Sequence, residues 1–233
     1  MENFFRDRYS GDLAKLARLR SVLRETIAGR TCIVIGSAPD PIVPVIENAC
    51  HFCVNGSVHS ADKYFHVTPD ATFLNGAIFN DADSYAEATV GVLRDKRLGI
   101  VLVSRNAYHC CSTVLQEIGA SAKECYPISK YDKRLIIGEA MGHKWWGAYP
   151  IDANVSNGLF MAVVALWAGA AEVILVGFSF NSRHEYTTAN QQLSVRGHLL
   201  EDSKFLEFIA AGQLPFSTTS AEIHEKFGIT LRA

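Results

Sequence analysis

The sequence has no apolar run that approaches the ~20 residues needed to span a bilayer, so it predicts no transmembrane helix. It also has no basic excess: the 233 residues carry a formal net charge of -2 at pH 7, which gives no bulk field for nucleic acid. No secretory signal is visible at the start, where Arg6, Asp7 and Arg8 lead into a mixed helix. Apolar residues make up 48% and charged residues 20%, as in soluble globular proteins. We therefore expect a cytoplasmic protein without a nucleic-acid partner.

Complete metal-ligand motifs are missing too. Cys50 and Cys53 have the spacing of half a zinc site, but no matching second half follows, and no two histidines form a metal motif. Cys32 and Cys53 lie in apolar, strand-like runs, which favours buried free thiols in a reducing compartment. The sequence thus predicts neither a metal site nor a bound cofactor.

The dinucleotide-binding fingerprint is incomplete. Residues 31–35 have a buried-strand pattern, and the following turn, Gly36-Ser37-Ala38-Pro39, keeps only one of the fingerprint glycines. Gly36 would let the backbone approach a ligand closely, and Ser37 adds a hydroxyl donor. The turn indicates a phosphate or ribose site of a different design, with an ordinary strand-to-loop turn as the alternative.

A helix followed by a strand is the strongest pattern that the chain does contain, over residues 154–180. Ser156 or Asn157 can cap the helix, Gly169 can end it, and the apolar run 173–176 is typical of a parallel sheet. A helix that begins on small polar residues presents backbone N–H groups and a positive dipole end, which suit a phosphate. An ordinary αβ unit has the same pattern, so this segment alone leaves both interpretations open.

Strands and helices alternate along the rest of the chain, without internal repeats. Apolar runs predict strands at 51–54, 64–67, 100–103 and 229–231, and helices fit at 84–93, 107–118, 201–211 and 220–227. This alternation predicts an α/β fold with a mostly parallel sheet and helices on both faces. Ligands bind such sheets beyond the carboxyl ends of the strands. The polar residues expected at those ends are Ser37, Asn55, Thr68 and Asn106.

Residues 1–29 predict an amphipathic N-terminal helix, set before a domain that spans residues 30–233. Apolar residues recur at helical spacing with basic residues between them, and Gly29 is a stop signal. The apolar set is Leu13, Leu16, Leu19, Val22, Leu23 and Ile27. We expect this helix to pack on the domain. The alternative is a basic amphipathic helix that contacts a partner or the acidic inner face of the membrane.

Residues 130–151 interrupt the alternation with several glycines, Trp145, Trp146 and little periodicity. Long irregular segments in compact domains are usually functional lids or disordered, and adjacent tryptophans argue against disorder. Indole rings suit stacking on sugar faces. We expect a lid over a ligand, or a loop that the two tryptophans pin to the core.

The ordered set of motifs resembles the bacterial sialyltransferases of glycosyltransferase family 42. The resemblance runs in register from about residue 31 to residue 231. Its pieces are the Gly36-x-x-Pro39 turn, the strands before Asn55 and Thr68, the Ser156-Asn157-Gly158 helix start, the Gly177-Phe178-Ser179-Phe180 strand end, Arg196-Gly197-His198 and the following Lys204-Phe205 segment. It implies a single Rossmann-like domain with a lid. It also implies metal-independent, inverting transfer from a CMP-activated sugar to a glycan acceptor, in bacterial cell-surface glycan biosynthesis.

The resemblance assigns roles to particular residues. The family's general base lies in a Gly-His pair before a helix, which is Gly197-His198 here, and imidazoles accept protons near neutral pH. Without the resemblance, His198 would more often be a cap or surface residue. Tyr186 fits one of two tyrosines that bind the departing phosphate; a second is not evident, and Arg183 or Arg196 could stabilise the same charge. The donor pocket maps onto Gly36, Ser37, Asn55, Thr68, Ser156, Asn157 and Gly158, and the acceptor or lid candidates are Trp145, Trp146, Arg183 and Arg196.

Two positions depart from the family pattern. The family's asparagine after the first glycine is Ser37 here, and the arginine two residues before its Thr-Ser-Gly turn falls at Asn154. The donor sugar can therefore differ, with Kdo as an alternative to sialic acid, or activity can be lost.

Two other classes stay open, as does homo-oligomerisation. One is an enzyme like the archaeal-type pterin pyrophosphokinases, which would want magnesium ligands near phosphate and for which Asp70 is the best-placed carboxylate. The other is a nucleotide-binding or assembly module without catalysis, because a fold alone does not decide function.

Overall fold

The computed structural model describes residues 2–80, 84–104, 108–142, 155–181, 184–187 and 198–232. Within these residues, eight strands form one sheet in the order β5-β4-β3-β2-β1-β6-β7-β8, and all neighbouring strands run parallel. The strands are β1 Thr31–Ile35, β2 Cys50–Val54, β3 Ala71–Leu74, β4 Ile100–Ser104, β5 Glu124–Ile128, β6 Glu172–Val176, β7 Phe216–Thr218 and β8 Thr230–Leu231. The predicted parallel sheet is confirmed.

Helices cover both faces of this sheet, as predicted. They are α1 Glu2–Ile27, α2 Val58–Ser60, α3 Ala77–Asn80, α4 Ser84–Leu93, α5 Tyr108–Glu117, α6 Lys130–Met141, α7 Asn157–Trp167, α8 Leu199–Ala211 and α9 Ala221–Phe227. Side chains of β1 alternate between the two cores: Cys32 and Val34 join the core under α1, α6, α7, α8 and α9, whereas Ile33 and Ile35 join the core under α4 and α5. This two-sided burial explains why the strands read as continuous apolar runs.

The strand order reverses at β1. From β1 the chain steps outward through β2, β3 and β4 to β5, and then crosses back by α6 and α7 to β6 on the other side of β1. Connections that leave two adjacent strands in opposite directions open a crevice beyond their carboxyl ends. The fold therefore predicts a binding site at the ends of β1 and β6.

The N-terminal helix packs on the domain through most of the predicted apolar stripe: Leu16, Leu19, Leu23 and Ile27 are buried and Val22 is half-buried, whereas Leu13 is 50% exposed. Its basic residues serve the same packing: Lys15 pairs with Asp132 at 2.6 Å, Arg18 with Glu124 at 3.2 Å and Arg20 with Glu139 at 3.3 Å. Across the described ranges, no helix combines the length and the apolarity that crossing a bilayer requires. The contacts support the packing interpretation, and membrane contact stays a prediction.

The prediction of a strand at 64–67 is wrong. Residues 55–65 instead form a 3-10 turn Asn55–Ser57, the short α2 and a π-helical turn Ala61–Phe65, which ends at His66 with a left-handed φ of 54°. The strand follows later, as β3. Thr68 therefore precedes a strand instead of following one, and it lies exposed at the amino-terminal edge of the sheet.

The prediction of an irregular segment at 130–151 is wrong for residues 130–141, which form α6. Ser129 caps α6 by accepting a hydrogen bond from the Asp132 N–H, and Ile136, Ile137 and Met141 are buried on its inner face. This apolar face was missed because Gly138 lies within it. Residues 143–154, with Trp145, Trp146 and Asn154, lie outside the described residues, and so does Asn106. The lid stays a prediction for that part.

Candidate active site

A cavity of about 360 Å³ lies at the carboxyl ends of β1, β2, β3 and β6, where the strand order reverses. Most of the residues predicted to bind the donor or to act in catalysis line it. They are Gly36, Ser37, Asn55, Ser156, Asn157, Gly158, Tyr186 and His198. Thr68 is the exception among the described candidates, because it lies at the opposite edge of the sheet.

The floor of the cavity is a close contact between the chain after β1 and the chain after β6. The Gly36 N–H donates to the Val176 carbonyl oxygen at 2.7 Å, and the Ala38 N–H donates to the Gly177 carbonyl oxygen at 2.9 Å. A Cβ on Gly36 would lie 2.3 Å from the Gly177 oxygen, and Gly177 itself has a φ of 68°. Glycine is required at Gly36 for this packing, which also brings bare backbone to the cavity.

Asn55 joins the ends of β2 and β3. It is 7% exposed, has a left-handed φ of 48°, and its Oδ1 accepts a hydrogen bond from the Asn75 N–H at 2.8 Å. Asparagine tolerates this backbone conformation better than most residues. Asn75 also lines the cavity. Asn75 was not predicted, because the strand before it is Ala71–Leu74 and not residues 64–67.

The start of α7 forms another wall. Ser156 is the cap, as predicted: its Oγ accepts from the Leu159 N–H at 3.5 Å. Its own N–H donates to Asp202 Oδ1 at 2.7 Å, so one of the backbone donors at this helix end is already hydrogen-bonded to a carboxylate of the protein. Burial raises the pKa of Asp202. Asp202 was not predicted, although it lies in the first turn of α8, four residues after His198.

Lys133 contacts the same helix start through Asn157, the first residue of α7. Its Nζ donates to Asn157 Oδ1 at 2.7 Å and lies 4.5 Å from the centre of the Phe73 ring and 4.9 Å from that of Phe160. Burial, with a smaller contribution from the charge of Lys130, lowers the pKa of Lys133 to about 8. No carboxylate pairs with it among the residues that the structure describes. Nothing in its sequence neighbourhood distinguishes it from a surface lysine.

Lys133→Met should flatten the pH dependence of stability between pH 8 and 10.5. Folded Lys133 loses its proton near pH 8, whereas the ordinary lysine pKa, which applies to the unfolded chain, is 10.5. The unfolded state thus binds more protons in this window, so wild-type stability should rise with pH there. Below pH 8 the buried ammonium opposes folding, and methionine should raise the free energy of unfolding at pH 7 by about 1 kcal/mol or more.

Urea unfolding of both proteins from pH 7 to 10 measures this effect. Groups that titrate in both proteins cancel in the comparison, and Lys123→Met, at an exposed lysine, is the matched control. Parallel stability curves for wild type and Lys133→Met would show that the lysine is not buried as described.

One side of the cavity is aromatic. Tyr186 packs on Gly56, where a Cβ would lie 2.3 Å from its ring, and its hydroxyl donates to the Tyr85 hydroxyl at 3.2 Å. Burial, reinforced by Tyr85, raises the pKa of Tyr186 well above its ordinary value, so it stays a hydrogen-bond donor. His184 stacks on Tyr186 and hydrogen-bonds to the Ser37 hydroxyl. Tyr85 and His184 were not predicted, because they reach the cavity only through tertiary packing.

His198 lines the cavity just before α8, a helix that packs on the opposite face of the sheet from α4. It is exposed, and its side chain makes no capping hydrogen bond to the helix, although its carbonyl accepts from the Asp202 N–H at 2.9 Å. The structure thus gives no support to the capping interpretation of this histidine. Arg183 and Arg196 lie outside the described residues.

The carboxylate considered for magnesium is remote from the cavity. Asp70 lies just before β3, at the amino-terminal edge of the sheet, and its Oδ2 accepts from the His51 N–H at 2.9 Å. Within the described part of the chain, no three His, Cys, Asp or Glu side chains group as metal ligands.

No family model and no curated protein matches this sequence. Solved structures do match the fold. The α-2,3-sialyltransferase Cst-I from Campylobacter jejuni has a TM-score of 0.57 at 13% identity, over 87% of this chain and 81% of its own. CstII from the same organism, in complex with CMP-3FNeuAc, gives 0.52 at 19% identity over 88% and 86%. CST-II in complex with a trisaccharide acceptor and CMP gives 0.55 at 18% identity, also over 88% and 86%. The chain therefore has the Rossmann-like fold of these sialyltransferases, as the sequence motifs predicted.

Proposed function

We propose that the chain is a glycosyltransferase of the sialyltransferase type, which transfers a sugar from a CMP-activated donor to a glycan acceptor. The observation that carries the proposal is the cavity at the strand reversal, which brings together eight residues chosen from the sequence for this chemistry. The fold supports it, since the similar structures are sialyltransferases and include complexes with CMP and with a CMP-sugar analogue. Sialic acid and Kdo are the candidate donor sugars.

The cavity has the groups that a single, inverting displacement needs. The acceptor hydroxyl attacks the anomeric carbon as His198 takes its proton, a new C–O bond forms, and the bond from that carbon to the phosphate oxygen breaks. The electron pair of the broken bond leaves with CMP. Backbone and side-chain donors can stabilise the charge that develops on the phosphate without a metal ion.

We place the enzyme in bacterial cell-surface glycan biosynthesis, in the cytoplasm or at the inner face of the membrane, with residues 143–151 as part of a lid. We also propose that the protein forms homo-oligomers. The ion pairs of α1 with the domain leave fewer basic side chains for a membrane surface.

CMP should bind the protein in EDTA, and CDP, ATP and NAD should bind more weakly. Titration calorimetry with each nucleotide measures this directly, because the proposed site needs no metal. A thermal-shift series with and without magnesium separates the alternatives: magnesium-dependent ATP binding would favour the pyrophosphokinase-like class. An absence of CMP binding at millimolar concentration, together with binding of another nucleotide, would reject the proposed function.

A further inference from the structure

The cavity has two sides with different chemistry. One side, here called the hydroxyl–imidazole wall, consists of Ser37, Tyr85, His184 and Tyr186. The other side holds His198 and Asp202, which belong to the start of α8; this helix packs on the opposite face of the sheet from α4, the helix of Tyr85. The first wall offers hydrogen-bond donors without a carboxylate, and the second offers an imidazole beside a carboxylate. An anionic group is therefore more favourable at the first wall.

His184 is the centre of the hydroxyl–imidazole wall. Its ring packs against both tyrosines, with centroids 5.5 Å apart and planes at 23° for Tyr186 and centroids 5.4 Å apart for Tyr85; the two tyrosine rings are themselves 6.3 Å apart. Its Nδ1 hydrogen-bonds to Ser37 Oγ. If the hydroxyl donates, Nδ1 is the acceptor and the proton of a neutral imidazole is on Nε2. In a cationic ring both nitrogens donate and the Ser37 Oγ becomes the acceptor, so this ring also has an N–H at Nε2.

The segment that carries His184 is anchored to the turn after β1. The Glu185 N–H donates to the Ser37 carbonyl oxygen at 2.7 Å. The Glu185 carboxylate accepts from the Tyr64 hydroxyl at 2.6 Å and pairs with Lys63. The Thr187 hydroxyl donates to the His184 carbonyl oxygen at 2.8 Å. These contacts fix the imidazole against the Gly36-Ser37 backbone, where a ligand can approach closely.

The start of α7 is less suited to a phosphate than the sequence indicated. Asp202 accepts the Ser156 N–H there, and a carboxylate at hydrogen-bond distance repels a second anion unless it is protonated. The phosphate is thus directed to the other side of the cavity.

We propose that His184, oriented by Ser37, binds the phosphate of the CMP-sugar and stabilises the second negative charge that this phosphate gains when the glycosidic bond breaks. This assignment rests on the proposed function. It gives a role to Ser37, which stands where the family pattern has asparagine. It also orients the substrate: the phosphate contacts the hydroxyl–imidazole wall, the acceptor contacts His198, and the sugar ring lies between them.

Calorimetric titration of CMP and of cytidine tests the assignment, because the two ligands differ only in the phosphate. Asparagine at residue 184 can keep a polar atom near the position of Nδ1 but lacks the outer nitrogen, and glutamine can place an N–H near the position of Nε2. We expect His184→Asn to weaken CMP binding by about 10- to 100-fold and to leave cytidine binding unchanged. His184→Gln should restore much of the loss. His66→Asn, at an exposed histidine with a left-handed φ, is the matched control and should change neither affinity.

The outcomes are distinguishable. Equal weakening of CMP and cytidine, or wild-type CMP affinity in His184→Asn, would overturn the assignment while the proposed function stands. Failure of the wild type to bind CMP would overturn both. If His184→Asn does not fold in a thermal scan, Ser37→Ala replaces it: loss of the bond to Nδ1 should weaken CMP binding but not cytidine binding, and equal affinities for CMP in Ser37→Ala and wild type would count against the proposal.

Discussion

His198→Ala should lower the rate of sugar transfer by about 100- to 10,000-fold and leave CMP affinity nearly unchanged. The loss is that of a general base, which must take the proton of the acceptor hydroxyl as it attacks. CMP affinity should be spared because His198 lies at the start of α8, on the opposite face of the sheet from α4 and its Tyr85. Its side chain makes no capping bond to α8, so removing it should cost little stability. The measurements are initial transfer rates from a CMP-sugar to an acceptor glycan, with CMP calorimetry and a thermal scan on the same sample.

Three other results with His198→Ala would each have a different meaning. Near-normal transfer would remove His198 from the mechanism. Combined loss of CMP binding and thermal stability would show a structural histidine that holds the turn before α8. Slow hydrolysis of the CMP-sugar at equal rates in wild type and variant would mean that water attacks without the base, in which case transfer to the acceptor must be measured separately. His66→Asn again controls for the loss of a histidine away from the cavity.

The parts of the site that the sequence predicted are those with a local signature. The apolar run of β1 and the turn at Gly36 and Ser37 follow each other within a few residues. Ser156 caps α7 through a bond to a residue only three positions later. Helix caps and strand-to-glycine turns are determined by neighbouring residues in the chain, so a sequence pattern is enough to find them.

The errors have local causes as well. Residues 64–67 are aromatic and β-branched, which favours a strand, yet tertiary packing makes the preceding residues helical and delays β3 to Ala71. Pro127 argues against a strand at 124–128, but β5 is the edge of the sheet and has a neighbour on one side only. Gly138 obscured the buried face of α6.

The missed residues of the site share another property, which is that distant parts of the chain bring them there. Asp202 reaches Ser156 across 46 positions, Lys133 reaches Asn157 across 24, and Ser37 reaches His184 across 147. None of these pairs leaves a signature in either segment alone. A sequence pattern can therefore identify the floor of such a cavity, whereas the groups that set its charge need the fold.

Gly36→Ala should destabilise the protein by about 1–3 kcal/mol or more and weaken CMP binding at the same time. The added methyl group would lie 2.3 Å from the Gly177 oxygen and 3.1 Å from the Phe178 ring, so the ends of β1 and β6 must separate. Such a shift would weaken the hydrogen bonds from Gly36 to Val176 and from Ala38 to Gly177. It would also displace Ser37, and with it the group that orients His184.

Gly91→Ala is the matched control, because it makes the same chemical change in α4, where an added Cβ meets nothing within 4 Å. A helix-interior glycine costs roughly 0.5–1 kcal/mol relative to alanine, so this variant should gain about that much stability and keep its affinity for CMP. Urea unfolding and CMP calorimetry on both variants measure the two effects. Equal stability changes in the two variants would mean that the strand ends are not in contact as described. If Gly36→Ala is destabilised but still binds CMP like the wild type, the nucleotide binds away from the turn after β1. A ligand in contact with that backbone would lose affinity when the backbone shifts.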